Sequence, residues 1–236
     1  MKPLRDNERA PVLAHQRYVA ERAGFDGLDL RQRFERIHAT NLWGATTSVS
    51  GLGSEADATS VLAAGLPPLL RALGVASLLD APCGDAGWIR RIALGVDYVG
   101  VDIVPAIVAE LQRRAASGEI AGRYLLADIT SDDLPRADAI LCRDALVHLS
   151  YAHIGDAIEN IRRSGAIWLI TTTFTEWQVN RDCEDGDWRA INLCRPPFDW
   201  PAPAALLDER CSEAGGTYRD KSLGAWRVDA LPPLRA

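Results

Sequence analysis

Lysine is nearly missing from this chain: it stands only at positions 2 and 221, and arginine supplies almost all the positive charge. None is therefore available inside the chain for Schiff-base chemistry or for a phosphate loop built around Gly-Lys-Ser/Thr. Long apolar runs are absent too. No stretch approaches the ~18 residues needed to cross a bilayer, and the N-terminal segment MKPLRDNERAPVLAHQRYVAERAG is charged throughout. The expected location is the cytoplasm, with no membrane partner. The five cysteines, Cys83, Cys142, Cys183, Cys194 and Cys211, are odd in number, widely spread and form no Cys-x-x-Cys pair. That pattern suits reduced thiols acting as small buried hydrophobes, and neither a disulfide framework nor a zinc site. Nor is there an excess of positive charge. Twenty-six Lys and Arg stand against 32 Asp and Glu, a net charge of −6. Polyanion binders concentrate the opposite sign, so a nucleic-acid substrate is disfavoured.

What remains is the composition of an ordinary globular protein, 47% hydrophobic over 236 residues, without repeats or low-complexity tracts. One compact domain is expected. From Val75 onward, short apolar runs alternate with amphipathic stretches, the pattern of parallel strands joined by crossover helices. The expected strands are ASLLDA, DYVGVD, RYLLAD, DAILCR and AIWLITTTF; helices are predicted over 86–94, 105–117 and 151–164, with Gly118 as a stop. Beyond Phe174 the period is lost. Residues 175–203 read as an insertion whose three tryptophans argue for an ordered, substrate-facing lid. The tail from Ala204 to Leu231 offers one short helix and a last pair of strands. Residues 1–74 form an N-terminal helical cap: helices are predicted over 8–22 and in RQRFERIHATNLW, then one entered through a Ser54/Asp57 capping box and another opened by Pro67.

Three predicted strands end in an acid. Asp80 is followed by the glycine-containing turn Ala81-Pro82-Cys83-Gly84-Asp85-Ala86-Gly87-Trp88, where backbone can approach a ligand closely. Asp102 closes the second strand 22 residues later, about where an open α/β sheet offers a carboxylate to ribose hydroxyls. Asp128 closes the third, with Ile129 beside it to pack a base. Three acids at one sheet edge predict a nucleoside site.

The stretches LLDAPCGDAGW, GVDI, ADI and ILCRDALVHLS resemble successive motifs of the class I S-adenosylmethionine-dependent methyltransferases, over roughly residues 75–175. The resemblance implies a Rossmann-like α/β/α sandwich with a mostly parallel seven-stranded sheet and an antiparallel last strand, residues 75–236 forming the core. It implies S-adenosyl-L-methionine as cofactor. Gly84 with Asp80, Pro82 and Trp88 around it would hold the methionine portion, Asp102 with Ile103 the ribose, Asp128 with Ile129 the adenine, and Arg143 would line the pocket near the sulfonium. Pro82 and Ala86 occupy positions where the family usually has glycine. Dinucleotide dehydrogenases would show Gly-x-Gly-x-x-Gly in that turn, and the chain does not. RDAL after the fourth strand also differs from the [DNS]-P-P-[YF] box of enzymes that methylate amines of DNA bases, and Cys142 lacks the Pro-Cys context of cytosine-5 enzymes.

Methyl transfer asks a protein to align the acceptor and remove a proton. Asp144 and His148 in RDALVHL are the candidate proton acceptors, with His148 otherwise a packing residue. In NLWGATTSVSGLGS, Trp43 is expected to shield the cofactor, and Ser50-Gly51 to offer backbone donors to its carboxylate. The insertion offers Trp177, Asn180, Arg181, Trp188, Arg189 and Asn192 to a polar small-molecule acceptor, such as a sugar or a natural-product intermediate. The expected partner is that acceptor, with a second copy of the chain as a further candidate. A tRNA or protein methyltransferase and a catalytically silent cofactor-binding subunit are the rival readings.

Overall fold

The computed structural model describes residues 5–48 and 50–234; the few remaining positions of the expected N-terminal cap and C-terminal tail lie outside it. The five expected parallel strands are all present: β1 (Ser77–Asp80), β2 (Asp97–Asp102), β3 (Arg123–Leu126), β4 (Ala139–Cys142) and β5 (Trp168–Phe174). The tail adds β6 (Ala205–Asp208) and β7 (Lys221–Arg227), with β7 antiparallel to both β5 and β6. Strand order is β3-β2-β1-β4-β5-β7-β6. The order reverses between β1 and β4, and the crevice at such a switch point is where an open sheet takes its ligand.

Alternation along the strands builds the layers. Leu79, Ile140 and Leu169 share one face with Ile154, Ile158 and Ile161 of α5 (Tyr151–Arg163). Leu78, Leu141 and Ile170 share the other with Leu62, Leu66 and Leu70 of α3 (Ser60–Ala72) and with Ile107 and Leu111 of α4 (Pro105–Ala116). Strands covered on both faces must be apolar on both, which is why they read as continuous hydrophobic runs.

Before the sheet come α1 (Leu13–Glu21) and α2 (Leu30–Thr40). Asp29 and Gln32 form a reciprocal capping box at the start of α2, and Asn41 in the left-handed region ends it. Tyr18, Phe25, Ile37 and Leu42 make a small apolar cluster of their own.

Local rules were overridden in three places. The helix expected over 8–22 is broken: a 3-10 turn at Asp6–Glu8 leads into extended backbone around Pro11, and α1 begins only at Leu13. Proline disfavours helical geometry in the residue before it. The helix expected over 86–94 is a three-residue 3-10 turn, Ile89–Arg91, because the glycine turn and Trp88 use the residues that would nucleate it. Ser54 caps nothing; its hydroxyl donates to the Ser50 carbonyl, and one helix, α3, starts at Ser60 and runs through Pro67 and Pro68. The buried Leu62, Leu66 and Leu70 stripe holds α3 together where its backbone hydrogen bonds are interrupted.

The insertion is ordered, with Ile191, Leu193, Phe198 and Trp200 buried. Among the described residues, no helix is long and apolar enough to cross a membrane.

The N-terminal segment is fastened to the core by charge. Arg9 forms a buried ion pair with Asp220, its guanidinium 5.2 Å above the Trp177 ring, and the Asp6 carboxylate accepts from the Gln178 and Val179 amides. Arg9→Met leaves Asp220 buried without its cation. It is expected to lower stability by about 3–5 kcal/mol, read from the urea midpoint; a loss under about 1 kcal/mol would show that the pair carries little of the attachment.

Candidate functional site

The carboxyl ends of β1, β2 and β4 open into a cleft of about 1070 Å³. It brings together Trp43, Ser50, Asp80, Pro82, Gly84, Trp88, Asp102, Ile103, Asp128, Ile129 and Arg143 with both proton-acceptor candidates, Asp144 and His148. Gly51, expected on the same wall, lines a neighbouring cavity instead.

The glycine turn keeps its shape without the usual glycines. Gly84 (φ 53°) and Ala86 (φ 50°) both take left-handed backbone, an uncommon but accessible conformation for alanine. At Gly84 no other residue fits: a Cβ there would sit 2.2 Å from Ser50 Oγ. Ser50 Oγ accepts from the Asp85 amide at 2.9 Å, so the segment before α3 lies directly on the turn.

Two of the strand-end acids are buried. Asp102 accepts from the amides of Gly84 and Val104, each at 2.9 Å; burial pushes its carboxyl up to about 6 against those two hydrogen bonds. Asp80 is pushed up to about 7 by burial, with the Tyr98 hydroxyl donating to it at 2.8 Å. Asp128 is more open. One of its oxygens accepts from the Thr130 amide and hydroxyl.

A second cavity, of about 880 Å³, adjoins the cleft and shares Trp43, Ser50, Asp144 and His148 with it. Pro11 to Ala14 and Gln16 close one side, with Trp188, Glu213 and Lys221 on the others. At the shared wall the Trp43 indole stacks on the His148 ring, centroids 4.4 Å apart. His148 is buried and its Nδ1 lies 2.7 Å from the Asp187 carbonyl oxygen. A carbonyl only accepts, so Nδ1 carries the proton and Nε2 keeps the lone pair. Burial lowers the His148 pKa to about 4, and the ring is neutral at pH 7.

Asp144 is in a different electrostatic state. Lys221 Nζ donates to its carboxylate at 2.6 Å and Arg143 lies at 3.3 Å; Glu209 binds the same two cations, at 3.5 Å and 2.7 Å. Burial alone would raise the Asp144 carboxyl, but the two cations outweigh it and hold it well below the usual carboxylate range. That makes Asp144 a poor proton acceptor. Lys221, set aside in the sequence, is thus a wall of the site. Glu209, Glu213 and His38 were also missed. His38 is the one with a legible signal: it follows Phe34 and Ile37 on the same face of α2, and all three line the cleft.

The insertion corrects the expected substrate set. The Asn180 side chain binds the Asn192 backbone, donating to its carbonyl and accepting from its amide, the Asn192 side chain donates to the Thr175 and Trp177 carbonyls, and Trp177 lies under Arg9. Arg181 is exposed, and Arg189 turns its guanidinium onto main-chain carbonyls. Only Trp188 reaches the second cavity. Polar side chains in a segment with no regular ladder are needed to satisfy its own backbone.

Trp43 and His38 line the cleft, and Trp43 Nε1 and His38 Nδ1 are buried with no hydrogen-bond partner among the described residues.

A family model described as a methyltransferase domain matches residues 78–165, from β1 past α5. No curated protein sequence matches the chain. Among solved structures, the fold is similar to that of the PH0226 protein from Pyrococcus horikoshii OT3, with a TM-score of 0.51 and 16% identity over 74% of this chain and 92% of that one. Magnesium protoporphyrin IX methyltransferase (ChlM) from Synechocystis PCC 6803, with bound SAM, gives a TM-score of 0.48 and 16% identity over 67% of this chain and 81% of that one. An S-adenosylmethionine-dependent methyltransferase from Clostridium acetobutylicum ATCC 824 gives a TM-score of 0.42 and 12% identity over 50% of this chain and 52% of that one, so the chain spans about half its length. The matched segment, residues 78–165, contains the glycine turn, the three strand-end acids and the His148 turn, so this part of the chain matches a methyltransferase domain.

Proposed function

We propose that the protein transfers the methyl group of S-adenosylmethionine to a hydroxyl oxygen of a small polar metabolite, with His148 as the proton acceptor. The observation that carries this reading is the junction of the two cavities at a neutral imidazole.

S-adenosylmethionine, when bound, supplies an electrophilic methyl on a sulfonium. The cleft residues divide the work of holding it. The Gly84 turn and Asp80 take the methionine end, Asp102 accepts from the ribose, and Asp128 with Ile129 borders the adenine. Trp43 covers the site and separates it from water.

The acceptor belongs in the second cavity. Its walls come from the start of α1, Trp188 and the Glu213–Lys221 region, around a space of small-molecule size. Within it the two cations, Arg143 and Lys221, are already engaged by Asp144 and Glu209. Glu213 has no ion-pair partner among the described residues, and burial raises its pKa. Glu213 therefore offers an acceptor to a hydroxylated molecule, such as a sugar or natural-product intermediate.

The weak basicity of His148 favours oxygen over nitrogen as the acceptor atom. An oxygen that is gaining a methyl becomes strongly acidic, so an imidazole with a pKa of about 4 suffices to take its proton. An alkylated amine would hold its proton far more tightly than that ring. Asp144 assists by keeping Lys221 and Arg143 in place and by its negative charge beside the imidazolium as it forms.

Transfer of labelled methyl to a panel of sugars and hydroxylated natural products, each paired with an amino counterpart, tests the reading. Label should enter the hydroxyl compounds, and transfer only to amines would contradict it. With an active acceptor and saturating S-adenosylmethionine, which masks any titration of Asp80 and Asp102 in cofactor binding, kcat/KM for the acceptor should drop toward about pH 4, where the His148 ring becomes protonated and inactive. His148→Asn should lower kcat by at least a hundredfold with the Kd for S-adenosylmethionine within threefold; a preserved rate would make His148 structural. Asp102→Asn should weaken S-adenosylmethionine at least tenfold in calorimetry, about 1.4 kcal/mol. An unchanged Kd would remove Asp102 from the site.

A further inference from the structure

His148 sits in a 3-10 turn, Leu146–His148, between β4 and α5. A turn that short cannot satisfy its own backbone. Its polar groups and those just beyond it are taken up by one stretch of the insertion, residues 182–189. Gly186 N donates to the His148 carbonyl at 2.8 Å and Arg189 N to the Val147 carbonyl at 3.1 Å. The Asp185 carboxylate accepts from Ser150 N at 2.7 Å, and that of Asp182 from Tyr151 N at 2.7 Å.

The largest part falls to one side chain. The Arg189 guanidinium donates to the carbonyls of Leu146 and Leu149, both at 2.6 Å, and its Nε to the Arg181 carbonyl at 3.3 Å. No salt bridge to a carboxylate is formed by this guanidinium among the described residues, so its charge is met by main-chain dipoles and by the Tyr151 ring, 5.6 Å away. Two residues before Arg189, the Asp187 carbonyl takes the His148 Nδ1 proton.

We propose that Arg189 is the positioning residue for His148: its planar fork ties together the carbonyls on either side of the His148 turn, and the main chain leading into it holds the ring in the Nδ1-protonated tautomer. Nε2 is thereby the nitrogen left for a ligand in the two cavities that the ring lines. This rests on His148 being the proton acceptor.

Arginine is the residue type the geometry needs. A guanidinium presents five donors in a rigid plane and can bridge two carbonyls, whereas an ammonium is a point charge on a flexible stem. Arg189 also adds charge beside the ring. The charged groups facing His148 are Asp144 at the end of β4, Lys221 at the start of β7, and Arg189 in the insertion; Arg189 and Lys221 oppose protonation and Asp144 favours it. Removing Arg189 thus both frees the turn and takes away a cation that keeps the ring neutral.

The test is long-range proton–nitrogen NMR of protein with 15N-labelled histidine. The chain has four histidines, and His148 is assigned from the signal lost in His148→Asn. In the wild type, His148 should show the Nδ1-protonated tautomer and no titration between pH 8 and 5. In Arg189→Met it should become a mixture of tautomers whose titration midpoint is at least one pH unit higher, with the Kd for S-adenosylmethionine within threefold of wild type. Arg189→Lys should move in the same direction, and it decides the matter if the methionine variant does not fold. A wild-type tautomer and titration in a folded variant would overturn the proposal even if thermal stability fell, since that would be a purely structural role. So would an Nε2-protonated ring in the wild type. Failure of the wild type to bind S-adenosylmethionine would count against the proposed function, while the histidine spectra would still report on the clamp.

Discussion

Two cations and two carboxylates, set together where water is scarce, constrain the whole carboxyl edge of this sheet. Arg143 and Asp144 follow β4, Glu209 follows β6 and Lys221 opens β7; all are brought within 2.6–3.5 Å of their partners. Charges removed from water must be paired or the fold loses several kcal/mol for each that is left alone. The cluster therefore fixes the spacing of three strand ends at once. Arg143 also donates to the Gly53 carbonyl at 2.9 Å, so the segment that covers the cleft is held by the same charges.

The division of the site into two chambers follows from this arrangement. Asp144 is pinned at the boundary with its charge neutralised, and the adjacent His148 is buried deeply enough to stay uncharged. Asp144 thus stays charged while its neighbour His148 stays neutral, a separation set by environment alone. Trp43, stacked on the imidazole, is the wall between the chambers and comes from the segment lying on the glycine turn.

The lining of the cleft was largely legible in the sequence, because the residues that form it are set by local pattern. Asp80, Asp102 and Asp128 each end an apolar run, and strand period plus glycine punctuation places them at one sheet edge. The lining of the second cavity was not. Lys221, Glu209 and Glu213 lie far from Asp144 in the chain, and they meet it only because β7 inserts between β5 and β6, a pairing no local pattern announces. The insertion was misread for a related reason. Asn180, Arg189 and Asn192 look like residues waiting for a substrate, yet a segment without a ladder spends its polar side chains on backbone. The prolines in α3 show the same dominance of packing over local preference, with three buried leucines outweighing two helix breakers.

The most direct test is a crystal structure with S-adenosylhomocysteine. The ribose hydroxyls should lie on Asp102, the adenine beside Asp128 and Ile129, and the sulfur at the boundary where His148 and Asp144 separate the two cavities. A ligand lodged elsewhere, or a cleft in which Asp102 makes no contact with the ribose, would contradict this placement.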